Sequence, residues 1–248
     1  MNLSIVIPVF NEIKLLPKIL LKIIKDTKRI NKEIIVVDDC STDGTKEWLL
    51  NIKKKFNHLG LKKNKLFFSK KTKSNLKIFL KKKNEGKGSA VNIGLKETIK
   101  NIIAIQDADL EYTPKDLNKM ISHIKKGKAD VVYGNRFSTK KNRYHYFAYA
   151  IGNYALSTFV SILFSTKLSD VAVCYKMFKR DVIKNIKFNS NDFMFDFEFT
   201  SKVLKKKKWK FTEVDILYKG RTFAEGKKIS WVDGFRALLV IVKIKLFF

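Results

Sequence analysis

The chain has 248 residues, 45% hydrophobic and 30% charged, enough to bury a full core in one α/β domain. Lysine and arginine number 52 against 23 acids, a formal net charge of +29. That surface attracts polyanions: nucleic acid, an anionic membrane or phosphorylated ligands. Two cysteines, Cys40 and Cys174, exclude a disulfide framework and are expected as small buried residues in a reducing compartment. Lysine runs at 53–55 and 205–208 read as solvated faces. Residues 1–10 are apolar without a basic leader region, so a strand is expected there. No apolar stretch reaches the ~18–20 residues of a membrane span.

Strand and helix signals alternate along the first half. Residues 3–7 form an apolar run closed by Pro8 and predict a buried strand; residues 15–24 have helical spacing. A second buried strand over 33–37 ends at Asp38 and Asp39. A helix over 43–56 follows, with Ser41 or Thr42 near its N-cap. Residues 57–74, polar and lysine-rich, predict a loop with one short strand. A strand over 78–80, a glycine turn and a helix over 88–100 come next. Residues 102–106 are the strand that delivers Asp107 and Asp109. Pro114 at a helix N1 position starts a helix over 115–125, and 130–133 is a further strand. This β-α-β-α spacing predicts a mostly parallel sheet with helices on both faces and ligands beyond the C-terminal strand ends. In the second half, 144–164 has helical spacing and few charges, 209–218 reads as a strand, and 231–248 as an apolar helix with basic punctuation.

The candidate site residues fall at those strand ends: Pro8, Val9, Asn11 and Glu12; Asp38 and Asp39; residues 84–87; Asp107 and Asp109; and Arg136. Asp107 and Asp109, spaced i, i+2 after an apolar strand, are expected to ligate Mg²⁺ or Mn²⁺ and so offset charge on a leaving diphosphate. Glu111 points to the same side of an extended segment and is a third candidate ligand. Asp39 accepts hydrogen bonds from a base or ribose, or else makes an Asx turn with Ser41 and Asp43; Asp43 reads as structural. Residues 84–89 fail the phosphate-loop pattern, since Lys87 is followed by Gly88. A glycine turn that opens a helix remains, with Lys87 at its positive end, suited to a nucleotide's charge. Arg136, Arg143, Arg221, Lys227 and Lys228 stand in patterned context, as phosphate contacts or as surface. Trp231, Phe235, Leu238, Leu239 and Val242 line one face of the last helix, with Arg236, Lys243 and Lys245 at its margin. That face fits a membrane interface or the protein body.

Segments 4–12 (SIVIPVFNE), 36–45 (VVDDCSTDGT), 84–88 (NEGKG) and 106–111 (QDADLE), with Pro114 after them, resemble the family 2 glycosyltransferases of GT-A fold. Segments 133–137 (YGNRF), 168–170 (LSD), 174–180 (CYKMFKR) and 221–229 (RTFAEGKKI) are similar to the dolichyl-phosphate mannosyltransferase subgroup, which includes polyprenyl-phosphate sugar transferases. The resemblance covers nearly the whole chain. It implies a Rossmann-like, mostly parallel sheet flanked by helices, with a catalytic domain expected over 1–228; the residue spacing adds a C-terminal amphipathic helix over 229–248, where many relatives carry membrane spans. It implies that a nucleoside-diphosphate sugar binds through Pro8, Val9, Asn11, Glu12, Asp39, Lys87, Gln106, Arg221 and Lys227. Asp107 and Asp109 then hold the metal, and a lipid phosphate attacks the anomeric carbon in one inverting displacement. An anionic phosphate acceptor needs cations such as Arg136, Arg221 and Lys227 rather than a strong base. A hydroxyl acceptor would need a carboxylate base, for which Asp170 or Asp196 is the candidate. The chain departs from the subgroup at Val173-Cys174-Tyr175, where Thr/Ser-Gly-Phe is frequent, and at Glu111, where Gln is frequent.

The sequence thus predicts a metal-dependent hexosyltransferase moving a sugar of the GDP-mannose or UDP-glucose type to a polyprenyl phosphate. Its expected place is the cytoplasmic membrane face, bound peripherally to an anionic surface or through a membrane partner subunit. One rival is a glycosyltransferase acting on a saccharide or protein hydroxyl. A sugar nucleotidyltransferase fits less well, because residues 8–12 lack that class's glycine-rich loop. A nucleic-acid-binding protein is the non-enzyme rival. The lysine runs carry no aromatic-interleaved recognition module, so no specific nucleic acid is expected.

Overall fold

The computed structural model describes residues 2–56, 58–62, 65–69, 74–138, 147–222 and 231–247. In chain order these form β1 (Asn2–Val9), α1 (Leu16–Asp26), β2 (Asn31–Asp38), α2 (Thr45–Lys55), β3 (His58–Lys62), β4 (Lys65–Ser69), β5 (Asn75–Leu80), α3 (Lys87–Lys96), β6 (Ile102–Ile105), α4 (Leu117–Lys125), β7 (Val131–Asn135), α5 (Phe147–Phe164), β8 (Lys176–Lys179), α6 (Met194–Lys205), β9 (Phe211–Asp215) and α7 (Trp231–Phe247). Among the described residues the strands make one nine-stranded sheet, ordered β4-β3-β5-β2-β1-β6-β8-β7-β9.

The centre of the sheet, β5-β2-β1-β6, is parallel. β1 and β2 are buried on both faces after their first residue, which is why their sequences are continuous apolar runs rather than alternating ones. β3 and β8 run against the other strands. From β1 the chain winds outward through β2 to β5, then returns to place β6 on the other side of β1. The β1/β6 boundary is therefore a topological switch point, where a crevice opens at the C-terminal strand ends. α3 lies close on this boundary because Gly94 has no side chain: a Cβ there would collide with Val6 of β1.

Several elements differ from the sequence reading. The segment expected to hold one short strand carries two, β3 and β4, paired antiparallel at the sheet edge. The helix expected over 88–100 ends at Lys96, because the Thr98 hydroxyl donates to the Leu95 carbonyl at 2.7 Å and Glu97 N–H turns back to Gly94 O. The strand expected over 209–218 is regular only over Phe211–Asp215, and Tyr218 joins Tyr112 as an isolated bridge. β8 and α6 were not anticipated. α6 begins Met-Phe-Asp-Phe-Glu-Phe, an alternation of strand type, yet it is a helix buried on nearly all sides, including Asp196 and Glu198. The first residues of the helix expected over 144–164, 144–146, lie outside the described residues.

α7 packs against α6 and α5 through Ala237, Ile241 and Ile244. The apolar stripe read from the sequence is a different face. Trp231, Phe235 and Leu239 are 79%, 61% and 55% exposed, and α5 beside it exposes Tyr154 and Ile162 by 68% and 76%. No helix among the described residues is long and apolar enough to cross a membrane.

Candidate active site

A cleft of about 1050 Å³ opens over the C-terminal ends of β1 and β6. Pro8, Val9 and Glu12 from the β1 end line it, with Asp39 after β2, Lys87 at the start of α3, Asp107, Asp109 and Glu111 after β6, Arg136 after β7, and Arg221. Residues far apart in sequence thus converge on one crevice.

The β1 end is stapled to the β2 end. Asn11 takes φ 58°, donates its N–H to Ser41 Oγ at 2.9 Å, and accepts from Thr42 N–H at 2.8 Å. Asn11 therefore shapes the loop and does not line the cleft. Asp43 caps α2 by accepting from Thr45 N–H at 3.0 Å, and also accepts from Ile13 N–H. Asp39 is buried and well occupied: it accepts from Lys81 Nζ at 2.5 Å, Glu85 N–H at 3.1 Å and Gly86 N–H at 2.7 Å. One edge of it faces the cleft while the rest fixes the 84–86 turn, where Gly86 takes φ 98°.

After β6, Gln106 is fully buried, outside the cleft, and donates to Asp107 O at 3.2 Å. Asp107 pairs with Lys87 Nζ at 2.9 Å. Asp109 accepts from Glu111 N–H at 3.0 Å, an Asx-type turn with Leu110 at φ 63°. Among the described residues it makes no ion pair. Burial, then the charges of Asp107 and Glu111, push its carboxyl up to about 8, with Arg221 acting in the opposite direction. Glu111 accepts from Arg221 N–H at 2.8 Å, and Arg221 Nη1 reaches Glu12 at 2.8 Å. The C-terminal segment is thereby drawn across the crevice. Lys227 and Lys228, like Arg143, lie outside the described residues.

Arg136 is held by Asp170, which accepts from Nε at 2.6 Å and Nη2 at 2.7 Å. Its guanidinium lies over the Tyr218 ring, 5.1 Å from the centroid. Asp170 itself is fully buried and does not line the cleft; Asn153 of α5 donates to it at 2.9 Å. Asp196 does line the cleft, and it is committed as well: Lys176 Nζ lies at 2.6 Å and Lys87 Nζ at 3.6 Å. Burial opposes its charge, but Lys176 and Lys87 outweigh that and hold the carboxyl below its ordinary range. Neither cysteine is fully buried. Cys40 donates to Lys82 O, while Cys174 lines the cleft and donates to Asp196 at 3.3 Å, its thiol pushed up by burial and by Asp196.

Sequence reasoning missed Lys176, Tyr218 and Asn153. Lys176 left a signal: a lone cation inside the apolar run 171–178 must find a buried counter-charge. Tyr218 and Asn153 left none, since each matters only through a partner distant in sequence.

The family model described as Glycosyl transferase family 2 matches residues 4–187. The chain belongs to this family. This glycosyltransferase is 31% identical over 137 residues to dolichol-phosphate mannosyltransferase of Pyrococcus furiosus, covering 55% of this chain and 34% of that protein. It is 27% identical over 191 residues to dodecaprenyl-phosphate galacturonate synthase of Rhizobium johnstonii, 75% of this chain and 50% of that one. An uncharacterized protein of Methanocaldococcus jannaschii is 29% identical over 194 residues, 74% of each chain. The glycosyltransferase thus spans half or less of the two named sugar transferases. In fold it is similar to glucosyl-3-phosphoglycerate synthase of Mycobacterium tuberculosis, with TM-score 0.66, 12% identity, and 98% of this chain and 79% of that one covered. TarS 1–349 of S. aureus in complex with UDP-GlcNAc gives TM-score 0.62 and 18% identity, over 98% and 66%. The fold is the GT-A fold of these enzymes.

Proposed function

We propose that this glycosyltransferase moves a hexose from a nucleoside-diphosphate sugar to a polyprenyl phosphate. The observation that carries the acceptor class is the commitment of Asp170 and Asp196. A hydroxyl acceptor needs a carboxylate free to take its proton. Asp170 is fully buried against Arg136, and Asp196 is ionised and clamped by Lys176 and Lys87. A phosphate acceptor is already anionic and needs orientation instead, and Arg136, locked by a bidentate pair, is built for it. The bond formed is from phosphate oxygen to the anomeric carbon; the bond broken is from that carbon to the donor diphosphate.

The donor set suits a hard divalent cation, Mg²⁺ or Mn²⁺. Asp107 and Asp109 offer oxygen ligands, and the burial and neighbouring carboxylates that drive up Asp109 are what a cation would offset. Among the described residues no three His, Cys, Asp or Glu side chains form a self-sufficient metal cluster. Two carboxylates, completed by diphosphate oxygens and water, match the usual binding of Mg²⁺ beside phosphates. When bound, the metal supplies Lewis-acid stabilisation of the leaving diphosphate. A solved structure of glucosyl-3-phosphoglycerate synthase holds Mn²⁺ and UDP on the same fold. Glu111 holds the Arg221 backbone and Glu12 its guanidinium at the rim beside Asp109, where a diphosphate would sit, and Pro8, Val9 and Asp39 border the nucleoside end.

The exposed apolar face of α5 and α7 supports peripheral membrane binding. Trp231, Phe235 and Leu238 continue it into the cleft wall, and Lys205, Lys243 and Lys245 stand near its far end. The test is label transfer from GDP- and UDP-sugars into extractable lipid, with polyprenyl phosphate and Mn²⁺ present and Asp109→Ala as control. Acid-labile lipid label, lost in the variant, is expected. Metal-dependent nucleotide release without lipid label would move the acceptor to a hydroxyl.

A further inference from the structure

We propose that Lys87 has two seats, Asp107 and Asp196, and that it guards Asp107 against free metal until the diphosphate arrives; the inference rests on the metal reading above. The Lys87 ammonium lies 2.9 Å from Asp107 Oδ2 and 3.6 Å from Asp196 Oδ2. Its backbone cannot shift to choose between them. Gly86 is tied by its N–H to Asp39, and a Cβ on Gly86 or Gly88 would collide with the backbone of residues 190–192. Only the side chain is left to move.

Asp196 is prepared as the second seat. Its Oδ1 is taken by the fully buried Lys176 at 2.6 Å, so the carboxylate stays ionised. Its Oδ2 carries the rotatable thiol of Cys174 at 3.3 Å, a weak donor that can turn away. A divalent cation on Asp107 competes for the lone pairs that Lys87 uses and repels its charge. The side chain then moves toward Asp196. Lys87 therefore opposes a bare metal ion. It favours a metal–diphosphate complex, whose phosphate oxygens give the ammonium a third partner. Asp196 is thus a positioning residue rather than a base.

The experiment is Mn²⁺ titration of the full chain by calorimetry, with and without GDP or UDP. Lys87→Met is expected to tighten Mn²⁺ alone by about tenfold and to weaken Mn²⁺ with nucleotide. Asp196→Asn is expected to weaken Mn²⁺ alone several-fold, since Lys87 loses its alternative seat. In the double variant the second change has no further effect. A general field effect would instead make the two changes additive. If Asp196→Asn does not fold because Lys176 loses its partner, the same change made with Lys176→Met replaces it. Additive effects, or unchanged Mn²⁺ affinity in Lys87→Met, overturn the proposal alone. Failure of Mn²⁺ to bind either protein overturns it together with the metal reading. Lipid transfer failing while the Mn²⁺ pattern holds would remove only the acceptor assignment.

Discussion

At the N-terminal ends of the parallel strands, the buried Glu33 accepts from Ser4 Oγ at 2.6 Å and Ile99 N–H at 2.8 Å, and pairs with Lys77 at 3.2 Å. Burial opposes its charge, but these donors prevail and hold its carboxyl below the ordinary value. At the C-terminal ends, Asp109 has, among the described residues, one backbone donor and two acidic neighbours against Arg221, and burial with those neighbours pushes its carboxyl up to about 8. One sheet carries both carboxylates, each in protein surroundings. The first is compensated by the fold; the second awaits compensation from a ligand. A buried carboxyl whose ionised form the fold does not compensate, at one end of a sheet, marks the end that binds.

The largest break in that contrast comes from swapping what each carboxylate is tested for. Asp109→Ala is expected to cost about three orders of magnitude in turnover, with a melting temperature unchanged or raised. Glu33→Ala is expected to cost about 3 kcal/mol of stability while turnover per folded molecule holds, because a buried pair is broken far from the cleft. Denaturant unfolding and steady-state rates on both variants decide it. Next in size is Asp170→Asn. It keeps the shape around Arg136 but removes the charge that locks it, so kcat/KM for the phosphate acceptor is expected to fall about 10–100-fold.

The pH response sharpens the comparison further. Asp109 must lose its proton to accept a cation, so Mn²⁺ affinity is expected to rise about tenfold per pH unit below 8 and to level off above it. Without metal the sign for stability is opposite. The folded carboxyl binds its proton more tightly than the unfolded one, so its contribution is full below the unfolded value and is lost as pH rises through about 8. The smallest effect belongs to Lys32, near the N-terminal ends, whose ammonium donates, among the described residues, only to the Thr27 and Ile30 carbonyls. Burial lowers its value to about 8. The folded protein holds that proton less tightly than the unfolded chain, so stability is expected to rise from pH 8 toward 10.5. Lys32→Met should gain about 1 kcal/mol at pH 7, read from denaturant midpoints.

The crevice was legible because its parts sit at strand ends, where an apolar run stops at a polar residue. Asp39, Asp107 and Asp109 announce themselves in this way. Asn11, Gln106 and Asp170 were placed among ligand or catalytic residues, yet the fold uses each to hold a neighbour: Thr42, the Asp107 carbonyl and Arg136. A sequence places a polar side chain near a site without telling whether it faces ligand or protein. β8 and α6 were illegible for a different reason. β8 is four residues long and pairs through three of them with each neighbour, and the strand-like alternation of α6 is overruled by burial on nearly all sides. The outward face of α7 could be read as a stripe but not as a direction, because both faces of that helix are apolar.

The most direct test is the thermal shift given by Mn²⁺ together with GDP or UDP, measured on the native protein and on Asp109→Ala. A ligand that binds only the folded state raises its melting temperature by mass action. If the strand-end carboxylates are the seat of the donor complex, one of these nucleotides with Mn²⁺ raises the melting temperature of the native protein by several degrees, and the variant does not respond. An equal shift in both proteins, or none in the native one, would contradict that claim.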